Sequence, residues 1–137
     1  MQISQTSKKY HTADSIVYSC QYHVIFCPKY RRSVLVDGID IRLKELIYEK
    51  QADYGYEILE MEVMPDHVHL IIDCDPRIGI DTIVGKVKGF TSHALRLEFP
   101  KLKSRLPTLW TRSKFISTVG SVTLEVVKLY IENQKNV

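Results

Sequence analysis

Met64-Pro65-Asp66-His67-Val68-His69-Leu70-Ile71-Ile72 reads as a tight turn running straight into a strand. Pro65 and Asp66 are turn residues, and the β-branched and aliphatic run behind them favours extended backbone. Successive side chains of a strand alternate between faces, so His67 and His69 point the same way while Val68, Leu70 and Ile72 point into a core. Two imidazoles side by side on a rigid support suit a divalent cation. A bare His-x-His is nevertheless a short pattern that often arises by chance, and by itself describes only a polar sheet face. The rest of the chain decides between these readings.

Working upstream, residues 57–64 alternate, with Ile58, Glu60 and Glu62 set against Leu59, Met61 and Val63. This is a second strand, joined to the first by two residues and therefore antiparallel to it. Before it, Ile39, Leu43, Leu46 and Ile47 recur at helical spacing, with Asp37 or Asp40 as cap and Gly55 as stop. Residues 16–27 (IVYSCQYHVIFC) predict one long strand, with Ser19, Gln21 and His23 on its polar face. Lys29-Tyr30-Arg31-Arg32 follows, cations around an aromatic ring, a composition that can hold phosphates. Residues 1–14 are polar, without periodicity, and read as a flexible arm.

Downstream, Ile83, Val87, Phe90, Ala94 and Leu97, with Val84 and Leu95 widening the stripe, give a second helix over about 81–99, leaving Lys86, Lys88, Ser92 and Arg96 on its surface. Gly85 and Gly89 lie inside that helix, where each costs about 1 kcal/mol relative to alanine; close approach to the sheet or to a nucleic-acid backbone would offset this, and the sheet is the simpler expectation. Residues 100–108 form a basic loop, residues 109–119 a fourth strand, and residues 121–137 a terminal segment whose helix begins near 122. The order β-α-β-β-α-β predicts an α+β, ferredoxin-like antiparallel sheet with two helices on one face, plus a C-terminal helix. That fold serves binders and nucleases alike and does not fix function.

One domain spanning 1–137 is expected from the length, and no apolar run approaches a membrane span. Three cysteines without a CxxC suit a reducing compartment, so a cytoplasmic location is expected. The net charge of +3 conceals an asymmetry. Residues 37–81 hold twelve Asp/Glu against four Lys/Arg, whereas residues 82–114 hold eight Lys/Arg against Glu98 alone. Basic segments meeting in space would attract a polyanion.

Tyr130 and Gln134 lie one turn apart on the last helix. A phenol is a weak nucleophile at neutral pH, but it can attack a phosphodiester when a metal ion polarises the phosphate. His67 and His69 would give that ion two ligands and Gln134 a third. A covalent phosphotyrosine conserves the energy of the broken bond, so no nucleotide cofactor is needed.

Taken together, Tyr22-His23-Val24-Ile25-Phe26-Cys27-Pro28-Lys29-Tyr30-Arg31-Arg32, Met64-Pro65-Asp66-His67-Val68-His69-Leu70, Lys88-Gly89-Phe90, Glu98-Phe99-Pro100, Leu109-Trp110-Thr111-Arg112-Ser113, Thr118-Val119-Gly120 and Tyr130-Ile131-Glu132-Asn133-Gln134 resemble the HUH single-tyrosine transposases of small bacterial insertion sequences. The blocks fall in the family's order over nearly the whole chain. The resemblance implies Mg2+ or Mn2+ on His67 and His69, Tyr130 as nucleophile and Gln134 as helper ligand. It further implies a homodimer that recognises single-stranded DNA hairpins at the element's ends and cuts and rejoins the strand through a 5′-phosphotyrosine. Lys29, Arg31, Arg32, Lys86, Lys88 and Arg112 are the DNA contacts it suggests. A ferredoxin-like nucleic-acid binder without catalysis is the competing expectation; it predicts salt-sensitive binding and no covalent adduct.

Overall fold

The strand that opens at His67 is held between two others. In the computed structural model, which describes residues 10–13, 15–120 and 124–137, β5 (His67–Cys74) pairs antiparallel with β4 (Tyr56–Met64) on one side and with β3 (Gln21–Phe26) on the other. A short strand β6 (Phe115–Thr118) adds to the far edge of β3, giving the order β4-β5-β3-β6. With α1 (Ile39–Glu49) between β3 and β4, and α3 (Ile80–Glu98) between β5 and β6, this is the expected ferredoxin-like arrangement. The two helices touch each other and cover one face of the sheet. Ile39, Leu43, Leu46 and Ile47 of α1, and Ile83, Val84, Val87 and Leu95 of α3, are buried there against Val24, Phe26, Val68, Leu70 and Ile72.

Several boundaries differ from expectation for identifiable reasons. The long strand over 16–27 is broken at Ser19 and Cys20, where the Cys20 N–H donates to the buried carboxylate of Asp73 (3.0 Å) instead of continuing a ladder. The piece before the break, β2 (Ile16–Tyr18), forms a separate hairpin with β1 (His11–Ala13), so part of the expected arm is paired strand; the remainder, 1–9 and 14, lies outside the described residues. The first helical segment is divided into α1 and a one-turn α2 (Gln51–Tyr54), and Gly55 closes it as expected.

Strand β4 carries a bulge between Ile58 and Glu60. The extra residue moves Ile58 onto the same face as Met61 and Val63, all three packing on the core, and leaves Glu60 and Glu62 facing the other way. Unbroken alternation had put Ile58 with the two glutamates. The expected basic loop contains a short helix, α4 (Lys101–Arg105), anchored by buried Leu102.

The fourth strand is much shorter than the expected 109–119. Residues 109–111 instead lace onto residues 27–29 through Lys29 N–H to Leu109 O (2.8 Å), a bridge between Pro28 and Trp110, and Thr111 N–H to Cys27 O (3.0 Å). The next carbonyls are taken by a side chain. Lys88 Nζ donates to the oxygens of Thr111, Arg112 and Ser113 at 2.7, 3.4 and 3.2 Å. Trp110 seals the join, its ring edge-on to Phe26 and its indole N–H on Thr91 Oγ1 (3.0 Å). The last helix is described as α5 (Leu124–Glu132); its expected start lies outside the described residues.

On α3 the buried stripe runs through Ile83, Val84, Val87, Thr91 and Leu95, while Leu97 is exposed. Gly85 and Gly89 do not meet the sheet: a Cβ at either would have nothing within 4 Å. Gly55 is the opposite case, with φ +80 and only 2.6 Å between a built Cβ and Ile78 Cδ1. Gly89→Ala is therefore expected to stabilise the chain by about 0.5–1 kcal/mol, and Gly55→Ala to destabilise it by about 1–2 kcal/mol, both read from urea unfolding midpoints.

Candidate active site

The bulge and the register together assemble a polar face on the side of the sheet away from α1 and α3. Phe115, Ile25, His69 and Glu62 lie directly opposite one another across β6, β3, β5 and β4, and Ser117, His23, Ile71 and Glu60 form the next row. His67 sits beyond them at the mouth of β5, opposite Met64. Both histidines of the His-x-His are thus on the face expected of them. Their surroundings differ.

His67 is partly buried, and its Nδ1 lies 2.8 Å from Asp66 Oδ1. Its other nitrogen, Nε2, is buried and has no hydrogen-bond partner. His69 is 4% exposed, far more enclosed than a polar sheet face suggests. Its Nε2 lies 3.1 Å from Nδ1 of the wholly buried His23, with the two rings nearly parallel at 11°. Burial, with His23 and His67 adding to it, depresses His69 to about 4. Burial likewise lowers His23, opposed by the nearby Glu60 carboxylate. One neutral imidazole donates to another here, a bond that the polar alternation of residues 19–23 foreshadowed only as a polar face.

The phenol arrives on the same face. Tyr130 packs its ring 5.3 Å from that of Phe115, in the row that contains His69 two strands away, a lateral offset of about 10 Å at ordinary strand spacing. Its hydroxyl is 2.8 Å from Ser113 Oγ. Burial raises the Tyr130 phenol above its ordinary value, and the Ser113 bond works against that rise. Ser113 stands in the segment whose carbonyls Lys88 holds, so the lysine supports the hydroxyl's partner from beneath. Lys88 itself is pulled down to about 8 by burial and by Lys114. Its position was legible in hindsight, since 84, 88, 91 and 95 share one helical stripe.

Gln134, 6% exposed, is buried just beyond α5, and its Oε1 has no partner. The last turn of α5 is joined to the mouth of β5 through Arg31. That guanidinium lies 3.3 Å from Ile131 O and from Glu132 Oε2, and 3.4 Å from Asp66 Oδ2. The thiol of Cys27, pushed up to about 12 by burial, is the common neighbour; Asp66, Arg31 and Lys88 all act on it, and it acts in turn on Tyr130.

Among the described residues no three His, Cys, Asp or Glu side chains are grouped to hold a metal ion. The donors available to a metal ion are of another kind. His67 Nε2 and Gln134 Oε1 are lone-pair atoms buried without partners, a nitrogen and an amide oxygen of the sort a hard divalent cation accepts while keeping water and phosphate in its remaining positions. His69 would exchange its bond to His23 for ligation through Nε2.

Of the six basic residues suggested as DNA contacts, Arg32, Lys86 and Arg112 are exposed and Lys29 partly so. Arg31 and Lys88 are engaged within the chain as described.

Comparison with known proteins shows the family. Residues 16–134 match the family model described as "Transposase IS200 like". The chain belongs to the IS200-like transposases. It is 39% identical over 120 residues to the ISDra2 transposase TnpA of Deinococcus radiodurans, covering 86% of each chain. It is 32% identical over 120 residues to the transposase of insertion sequence element IS200 from Salmonella typhimurium, covering 85% of this transposase and 78% of the other. Among solved structures, a transposase from D. radiodurans R1 superposes with a TM-score of 0.84 at 34% identity, over 93% of this chain and 99% of that one. A REP-associated tyrosine transposase bound to a REP hairpin shares the fold at a TM-score of 0.57 and 16% identity, over 95% of this chain and 69% of that one. Among the described residues no helix of the transposase is long and apolar enough to cross a membrane.

The buried imidazole carries a pH signature. Because His69 is held neutral in the fold, the unfolded chain binds its proton first as pH falls, and stability is lost between about 6.5 and 4. In metal-free buffer, replacing His69 by Gln is expected to remove about 3 kcal/mol of the stability difference between pH 7 and pH 4, in keeping with its depression to about 4; chemical denaturation at the two pH values checks this.

Proposed function

We propose that this IS200-like transposase cuts and rejoins single-stranded DNA through a covalent bond to Tyr130. The observation that carries the reading is the packing of the Tyr130 ring on Phe115, which shares a sheet face and a cross-strand row with His69. In the reaction the phenolic oxygen attacks the scissile phosphorus and loses its proton, and an O–P bond forms. The bond from phosphorus to the 3′ oxygen breaks, and that oxygen takes up a proton to become a free 3′-OH. A 5′-phosphotyrosine remains, and reversal with a new 3′-OH rejoins the strand. The exchange leaves the number of phosphodiesters unchanged, so no nucleotide cofactor enters.

A raised phenol is a poor nucleophile, so the phosphate must be made more electrophilic. Mg2+ or Mn2+ held by His67, His69 and Gln134 would supply positive charge against the phosphate and the departing oxygen. The orphaned Nε2 and Oε1 support that assignment. Lys29, Arg32, Lys86 and Arg112 are assigned to DNA, because their charges face outward; Arg31 and Lys88 serve inside. Hairpins near the ends of an insertion sequence are the proposed targets, in keeping with the hairpin-bound structure of the REP-associated relative. A homodimer is proposed as the working form. Its support is the outer side of α5, where Leu129 and Val126 are 62% and 45% exposed.

Incubation with single-stranded hairpin DNA and Mg2+ is expected to give a protein–DNA adduct that survives denaturant. Tyr130→Phe abolishes the adduct and leaves hairpin binding within about twofold; cleavage by that variant at the wild-type rate removes Tyr130 from the role. His67→Ala lowers metal-dependent cleavage by at least about 100-fold without loss of DNA binding. Binding with no adduct under any divalent cation would instead identify a non-catalytic module.

A further inference from the structure

The contacts at the mouth of β5 form a continuous line from a candidate ligand atom to the helix that carries the phenol. Asp66 presents one carboxylate oxygen to His67 Nδ1 at 2.8 Å and the other to Arg31 Nε at 3.4 Å. Arg31 in turn reaches Ile131 O and Glu132 Oε2, both at 3.3 Å, at the end of α5. A carboxylate facing Nδ1 of a neutral imidazole selects the form protonated there, which leaves the lone pair on Nε2. That is the nitrogen found buried without a partner.

The backbone that carries Arg31 is itself unusual. Tyr30 and Arg31 have φ values of +60 and +51, two consecutive non-glycine residues in the left-handed region. Each such residue costs on the order of 1 kcal/mol or more and persists only where its surroundings impose it. Here the imposition is visible, since Tyr30 N–H donates to Val137 O (2.9 Å) and Arg31 N–H to Pro28 O (2.8 Å). The strain turns the guanidinium between Asp66 and α5, where it is only 17% exposed.

We propose that Asp66 and Arg31 are positioning residues that couple the seating of the tyrosine helix to the presentation of His67 as a metal ligand. Resting on the reading of His67 as a ligand and Tyr130 as nucleophile, the inference is that the two are one cooperative event. Docking of α5 fixes Arg31, Arg31 fixes the Asp66 carboxylate, and the carboxylate fixes the His67 tautomer. Reciprocally, a cation on Nε2 must tighten the docking of α5.

The test uses the full chain without DNA, so that no step of catalysis enters. Nitrogen-15 NMR at pH 8 is expected to show wild-type His67 protonated on Nδ1, and Asp66→Ala shifted to the Nε2-protonated form. Calorimetric titration is expected to show Mn2+ binding weakened about 10–100-fold by Asp66→Ala and about fivefold by Arg31→Gln. The double variant binds no more weakly than Asp66→Ala alone, because Arg31 acts through Asp66. Mn2+ slows amide exchange over residues 124–132 less in Arg31→Gln than in the wild type, while the turn at Gln134, itself a proposed ligand, is slowed in both. Asp66→Asn keeps an acceptor for His67 and separates the two halves, preserving the Nδ1-protonated form while weakening the link from Asp66 to Arg31. If the wild type binds Mn2+ and these variants bind it equally well with an unchanged tautomer, the coupling is overturned while the metal site stands. If the wild type binds no Mn2+, the metal reading itself fails.

Discussion

Strand β5 has hydrogen-bonded neighbours on both edges and a sealed hydrophobic layer on one face, and this double confinement governs everything else in the molecule. Val68, Leu70 and Ile72 cannot leave the layer under α1 and α3 without exposing buried apolar surface, so the period of two leaves His67 and His69 no choice of side. A slip of one residue in its pairing would bury both imidazoles among aliphatic side chains. The site's geometry therefore rests on ordinary hydrophobic packing on the reverse side of the same strand, which is stiffer than any loop could be.

The polar face is made at a cost. His23 and His69 are enclosed and held neutral, two glutamate oxygens lack partners, and a ligand-type nitrogen and oxygen do likewise. Groups like these destabilise a fold unless something else satisfies them. His23, His69, Glu60 and Glu62 fall in two neighbouring rows of this face, and Phe115, on which Tyr130 packs, ends one of them. The segment over 111–113 tells the same story. It gives up its ladder so that Lys88 can hold its carbonyls and Ser113 can meet the phenol.

Alternation and helical spacing made most of the architecture legible in the residues themselves. The strand pair around Pro65-Asp66, the two covering helices and the faces of His67 and His69 follow from local periodicity. Failures came where a distant partner overrode a local pattern. Nothing near Cys20 announces that Asp73 will break its strand, and nothing near Leu59 announces a bulge. Lys88 looked like a surface lysine because its three acceptors lie some two dozen residues away. Asp66 read as a turn residue, which it is, but its bonds to His67 and Arg31 exist only after the chain has closed. Tyr130 and Gln134 gained meaning from family resemblance; their spacing alone would have described any terminal helix.

The pairing of β3 with β6 joins residues 21–26 to residues 115–118, and the lacing of Cys27 to Thr111 spans a comparable length of chain. A ribosome must deliver the chain at least as far as residue 118 before the centre of the sheet can close. Until then β3 has a bare edge and neither Phe115 nor Tyr130 has a place to sit. Such non-local closure slows folding, and a fragment that ends before residue 115 lacks β6 and the packing surface that Phe115 offers Tyr130. Completion of the candidate site is thereby tied to completion of the sheet.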